Sequence, residues 1–190
     1  TASAHRAENA THHLTTLLNN LISEPLDNGN KNFLPSSIQI ATIDVGNTAA
    51  NIIPETAKAT VNIRYNDLHN SKSLTEWMQK HINDVFDKID KASCVFKVEA
   101  NGESFLTEPG KLSTLITKSI SEVTGRNSKP ELATDGGTSD ARFIKDYCEV
   151  VELGIRNQTL HQVDEFVFIE DIKMLQKVYL KLLENYFNKI

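Results

Sequence analysis

The sequence predicts an α+β chain whose first part is a ferredoxin-like (split βαβ) unit. Three observations predict it. Apolar residues recur at helical spacing in four long segments, and shorter segments between them alternate with a period of two. The turn signals Asn101-Gly102 and Pro109-Gly110 then separate two regions of different pattern. A chain of 190 residues holds one medium domain or two small ones, and the turn signals divide it into residues 1–106 and 107–190.

In chain order, Leu14, Leu17, Leu18, Leu21 and Ile22 fall on one helical face, with Thr11 as the candidate N-cap and Pro25 closing the segment. Ile38, Ile40 and Thr42 alternate as a strand should. Ala57, Ala59, Val61, Ile63 and Tyr65 alternate again, so Ala57–Tyr65 reads as a half-buried strand. Leu74, Trp77, Met78, Ile82, Val85, Phe86 and Ile89 mark a long amphipathic helix, and Cys94, Phe96 and Val98 a third strand. The order α-β-β-α-β is a split βαβ unit lacking its first strand, and that strand is expected before Thr1. Past the boundary, Leu112, Leu115, Ile116, Ile120 and Val123 mark a helix ended by Gly125. Thr138–Lys145 reads as a short helix capped by Thr138 or Ser139, Glu149–Leu153 as a brief strand, and Ile172 to Tyr186 as a final helix. A lone strand has nothing to pair with, so this part reads as the tail of an α/β domain whose other strands lie elsewhere.

Composition narrows the function classes. Hydrophobic and charged fractions of 39% and 24% suit a soluble globular protein. A net charge of −5 without a basic patch argues against a nucleic-acid partner. Neither a membrane-length apolar run nor a signal peptide is present, which predicts no membrane partner and a cytoplasmic setting. Cys94 and Cys148 sit in apolar stretches and read as buried thiols in a reducing compartment.

His161 follows an apolar stretch in Glu152-Leu-Gly-Ile-Arg-Asn-Gln-Thr-Leu-His161-Gln-Val-Asp-Glu165. A carboxylate beside a neutral imidazole fixes its tautomer and raises its basicity, as a metal ligand requires. Zinc takes three or four such ligands, and no matching set accompanies His161. It is therefore either an ordinary histidine or one part of a larger metal site.

Several segments together carry a resemblance. Phe33-Leu-Pro-Ser-Ser-Ile-Gln-Ile-Ala-Thr-Ile-Asp-Val-Gly46, Asn51-Ile-Ile-Pro54 and Val61-Asn-Ile-Arg64 resemble a lid, or dimerisation, domain of the dinuclear-zinc deacylase and aminopeptidase-like family. Gly136-Gly-Thr-Ser-Asp-Ala-Arg-Phe143, Glu152-Leu-Gly154 and Asn157-Gln-Thr-Leu-His161 resemble the C-terminal half of its catalytic domain, most closely in the branch that removes succinyl groups. The resemblance implies a lid domain over residues 1–106 and the C-terminal part of an α/β zinc-hydrolase domain over 107–190. It also implies a homodimer through the lid and a small-molecule substrate. Two zinc or cobalt ions would lie in the complete enzyme, with most ligands and the glutamate base in an N-terminal half outside this chain, so the chain alone is expected to be inactive.

Residue by residue, His161 matches the family's last zinc ligand. His5, in His5-Arg-Ala-Glu-Asn-Ala10, matches the lid histidine that reaches the partner's active site and stabilises the oxyanion; Ala10 replaces the usual proline. Asn51 and Arg64 match substrate-side residues. On its own, Asn51 is as readily a backbone-bonding turn residue, and Arg64 a partner in an ordinary surface salt bridge. A guanidinium nevertheless suits a substrate bearing several carboxylates. Gly137, Thr138 and Ser139 match a loop whose N–H groups suit an anionic substrate end. His12, His13, His69 and His81 receive no site role. Ile155, Arg156 and Asp135 depart from the succinyl-removing pattern, which leaves another N-acyl amino acid open as substrate, with an acetylornithine- or aminoacylase-like activity. The Pro-Gly-Ser element of the acetylornithine branch is not found. A non-catalytic dimerising module is the reading from a different class.

The implied chemistry is metal-assisted amide hydrolysis, with a metal-activated water attacking the acyl carbonyl.

Overall fold

Helix α1 (Ala10–Ile22) begins where Asn9, in extended backbone, turns its side chain onto the N–H groups of Thr11 (3.0 Å) and His12 (3.4 Å). The cap is thus Asn9 and not Thr11, which lies inside the first turn. Both residue types can cap, but only residue 9 has the non-helical backbone a cap needs. Strand β1 (Ser37–Asp44) pairs antiparallel with β2 (Lys58–Arg64), from Ser37 opposite Arg64 to Asp44 opposite Lys58. An irregularity between Ile40 and Thr42 breaks the ladder, and past it β1 loses its inward face: Thr42 to Asp44 are all exposed. Helix α2 (Ser71–Phe86) starts at Asn70, whose side chain accepts from the Ser73 N–H while the Ser73 hydroxyl reaches back to the Asn70 backbone.

The structure, a computed structural model, describes residues 4–125, 129–134, 139–155 and 158–188. It forms two units, Thr1–Phe105 and Leu106–Ile190. In the first, Leu17, Leu18 and Leu21 of α1 pack on Ile82 of α2, with Ile40, Ala59, Val61, Trp77 and Phe86 closing around them. Each buried leucine of this kind contributes roughly 2 kcal/mol of apolar burial. The architecture is α+β with a two-stranded antiparallel sheet.

The predicted third strand is a correction. Cys94 and Phe96 do pack on the core with Ser93, Val95 and Lys97 pointing out, yet residues 94–98 make no ladder. Alternation reports which face is buried, whereas a strand also needs a partner backbone.

A polar knot the sequence did not announce ties the loop after α1 to the end of β2. The Asp27 side chain, 8% exposed, accepts from the Gly29 N–H (2.7 Å), the Ser36 N–H (3.2 Å) and the Asn66 amide (2.7 Å), with His69 Nε2 at 3.1 Å. Asn66 is itself 2% exposed, and its N–H donates to the Ser36 hydroxyl. Burial alone would push the Asp27 carboxyl up, but the hydrogen bonds from Ser36, Gly29 and Asn66 together bring it from 3.8 down to about 2. A carboxyl depressed in the folded state contributes stability that is complete above the unfolded value and fades as pH falls through the folded one. The thermal midpoint is therefore expected to drop between pH 5 and pH 2, with about 2 kcal/mol lost through this group. Asp27→Asn should flatten that part of the pH profile and lower the midpoint at pH 7. An unchanged acid limb in the variant would assign the loss to other carboxyls.

In the second unit, α3 (Lys111–Thr124) packs on α5 (Ile169–Phe187), burying Leu115, Ile116 and Val178. Asn185 of α5 donates to the fully buried Ser119 hydroxyl (3.1 Å) and to Glu122 (2.9 Å). Gly125 ends α3 with φ 66°, the left-handed conformation that the sequence assigned to it. The short helix α4 (Ala141–Ile144) follows Ser139, whose hydroxyl accepts from the Ala141 N–H at 2.9 Å. The brief strand predicted at Glu149–Leu153 does not form: these residues lie outside any sheet, with the Glu149 carboxylate bonded to α3 and the Leu153 carbonyl to α5. Cys148 is exposed and not a buried thiol, while Cys94 is half-buried.

Candidate functional site

His5 lies in a single 3-10 turn, Ala4–Arg6, closed by Ala7 N–H to Ala4 C=O (3.2 Å), and it is exposed. Four residues on, the Ala10 N–H donates to the Pro54 carbonyl at 3.3 Å. This bond sets the His5 segment beside the loop that joins β1 to β2. The loop is folded on itself by Asn47, whose amide donates to the carbonyls of Ala49 (3.2 Å) and Ile52 (3.0 Å), and Asn51 is exposed on its tight turn. His5 and Asn51 thus belong to one end of the hairpin. Arg64 belongs to the other: it ends β2 opposite Ser37, six residues from Lys58 at the loop end. At about 3.4 Å per residue that is roughly 20 Å. Arg64 points away from the core face of Val61 and Ile63 and has no acid within 4 Å among the described residues.

In the second unit the Ser139 hydroxyl donates to the Glu152 carboxylate, which joins two segments thirteen residues apart. Glu152 carried no role in the sequence reading, although it opens the Glu152-Leu-Gly154 motif; its reach across to Ser139 leaves no local pattern. One residue on, the Leu153 carbonyl accepts from the Tyr179 hydroxyl of α5 at 2.6 Å. The loop that follows is closed by Thr159, whose hydroxyl donates to the Phe166 carbonyl (2.8 Å) and accepts from its N–H (3.1 Å). His161 stands exposed in that loop, with left-handed backbone (φ 60°) and its N–H 3.4 Å from a Glu165 oxygen. A left-handed histidine costs about 1 kcal/mol and persists only where the surroundings impose it. Gly137 and Thr138, with Asp135, Gly136, Arg156 and Asn157, lie outside the described residues.

Three of the four histidines without a site role are accounted for locally. His13 pairs with Glu8 (2.8 Å) and sets its ring edge on Phe86, His81 packs on Trp77, and His69 joins the Asp27 knot. No group of three or more His, Cys, Asp and Glu that could hold a metal occurs among the described residues, and none of their helices is long and apolar enough to cross a membrane.

Comparison with known proteins gives the same reading along the chain. It is 45% identical, over 98% of its length, to the succinyl-diaminopimelate desuccinylase of Parvibaculum lavamentivorans, of which it covers 46%. The values are 45% and 48% for succinyl-diaminopimelate desuccinylase 1 of a Ruegeria species, and 46% and 48% for the desuccinylase of Ruegeria pomeroyi, again over 98% of this chain. The chain therefore spans about half the length of the curated relatives it matches. The model of the peptidase dimerisation domain matches the part that holds His5, Asn51 and Arg64. That match spans residues 2–90.

Proposed function

We propose that the chain is part of a zinc-dependent amidohydrolase that cleaves N-succinyl-LL-2,6-diaminopimelate to succinate and LL-2,6-diaminopimelate, a cytoplasmic step of diaminopimelate and lysine biosynthesis. The observation that carries this reading is 45% identity along nearly the whole chain to proteins named succinyl-diaminopimelate desuccinylase. The described residues do not by themselves make a metal site, since no group of three or more His, Cys, Asp and Glu gathers among them. His161 would supply one ligand to zinc or cobalt, and its imposed left-handed backbone on a pinned loop supports a positional role. The remaining ligands and the general base would come from an N-terminal half.

What this chain's residues would do is bind and orient. Arg64 offers a paired donor to a substrate carboxylate. Ser139, held by Glu152, would fix the end of the Gly137-Thr138-Ser139 loop against the anionic end of the substrate. His5, tied to the Asn51 loop through Ala10 and Pro54, would donate to the developing oxyanion. The roughly 20 Å between the Arg64 and Asn51 ends of the hairpin is too far for one small substrate to bridge, which supports His5 and Asn51 serving the partner's site in a homodimer. That dimer would form through the lid, by α2 or the unpaired edge of β1. In the same reading the first unit is a ferredoxin-like module.

The test is the full-length protein. Its coding sequence upstream of Thr1 is expected to hold a His-x-Asp motif followed by a Glu-Glu pair, and the protein to release succinate from N-succinyl-LL-2,6-diaminopimelate in preference to acetate from N-acetylornithine. The 190-residue chain alone is expected to release neither. A full-length protein that prefers another N-acyl amino acid would move the assignment to that branch.

A further inference from the structure

The last pair of the β1–β2 ladder, Ser37 opposite Arg64, adjoins the Asp27 knot on both strands. On the β1 side Ser36, one residue before Ser37, donates its N–H to the Asp27 carboxylate (3.2 Å) and accepts the Asn66 N–H on its hydroxyl (3.1 Å). On the β2 side Asn66, two residues after Arg64 and buried, donates its amide to Asp27 (2.7 Å) and to the Leu34 carbonyl (3.1 Å). Its carbonyl oxygen Oδ1 accepts the Leu68 N–H at 2.9 Å. Between them, the Tyr65 hydroxyl reaches the Gly102 carbonyl (2.8 Å). The loop that carries Asp27 turns at Gly29, whose φ of 71° and close approach to the Phe33 carbonyl, 2.6 Å from where a Cβ would lie, admit no side chain.

These bonds hold the chain on either side of Arg64, while its guanidinium stays exposed with no acid within 4 Å among the described residues. Taking Asp27 and Asn66 out of water is costly unless every polar atom finds a partner. A buried network satisfied in this way fixes one backbone geometry more sharply than apolar packing does. An unpaired cation on backbone so fixed is preorganised for an anion that arrives from solution. We infer that Asp27, Ser36 and Asn66 are positioning residues for Arg64, holding the end of β2 so that its guanidinium meets a substrate carboxylate in a single geometry. This rests on the reading of Arg64 as a carboxylate-binding residue.

Steady-state kinetics of the full-length protein with N-succinyl-LL-2,6-diaminopimelate test it. Arg64→Ala should raise KM by about ten- to a hundredfold, the usual worth of hydrogen bonds to a charged group. Asn66→Ala should raise KM by about tenfold with kcat within about twofold, because a misplaced cation loses ground-state and transition-state binding alike. Gly29→Ala, which displaces the loop from its other side, should act in the same direction. When Asn66→Ala is combined with Arg64→Ala, KM should be no higher than for Arg64→Ala alone, since both changes remove one interaction. Leu17→Val, which loosens the core of the same unit away from the knot, should leave KM unchanged although it too lowers the thermal midpoint. If Asn66→Ala fails to fold, Asp27→Asn keeps the shape and an acceptor for Ser36 and should give a smaller rise in KM that again disappears on the Arg64→Ala background. Knot variants with wild-type KM, or a rise that persists in full on the Arg64→Ala background, would overturn the inference and leave the reading of Arg64 standing. An Arg64→Ala variant with wild-type KM, or a wild-type protein that releases no succinate, would overturn the reading of Arg64 and the inference with it.

Discussion

His5→Ala in the full-length enzyme is expected to lower turnover by about a hundred- to a thousandfold, the usual loss when one positioned oxyanion donor is removed. Metal content and fold should stay unchanged. The expectation rests on where the side chain is: exposed on a one-turn helix, outside the core of Leu17, Leu18, Leu21 and Ile82, and therefore dispensable for stability. Because the proposed contact is made in the transition state, kcat and kcat/KM should fall together. The dimer supplies a sharper readout. If His5 serves the partner's site, mixing His5→Ala protomers with protomers damaged at His161 places both lesions in one of the two sites and restores the other. Activity should then rise above that of either variant alone. A mixture no more active than its parts would place His5 in its own protomer's site or in none.

Much of the fold was legible because burial leaves a period in the sequence. Leu14 to Ile22 and Leu74 to Phe86 became helices whose apolar faces meet, and Ile38, Ile40, Val61 and Ile63 became paired strands. The failures share one cause. Cys94 to Val98 alternates as faithfully as β2 does, but pairing depends on a neighbouring backbone that no local pattern encodes. Glu149 to Leu153 carries an apolar signal, yet its end residues are drawn to α3 and α5 by Glu149 and by the Leu153 carbonyl. The Asp27 knot was illegible for the same reason. Only the Asp27-Asn-Gly29 turn is local, while Ser36, Asn66 and His69 arrive from up to 42 residues away. Of the candidate site, the segments were recognisable as motifs. Their joints were not: Ala10 to Pro54, Ser139 to Glu152 and Thr159 to Phe166 each cross a gap that sequence spacing does not reveal.

His161 carries the other large effect. His161→Ala is expected to cost the full-length enzyme one of its two metal equivalents, measured by elemental analysis after dialysis, while the thermal midpoint shifts little. The loop does not depend on the imidazole, since Thr159 and Phe166 close it through a hydroxyl and the backbone. The left-handed backbone at φ 60° complicates the alanine variant, because alanine pays about 1 kcal/mol in that conformation. Asparagine tolerates it and has no imidazole nitrogen to offer the ion, so His161→Asn should lose the same metal equivalent with a smaller change in stability. One equivalent should remain in both variants, bound by ligands outside this chain, and residual activity should survive with it. His161 and His5 variants would then part cleanly, one losing metal and the other losing turnover at full metal content. Equal metal content and equal kinetic loss in the two would contradict the separate roles of ligand and oxyanion donor.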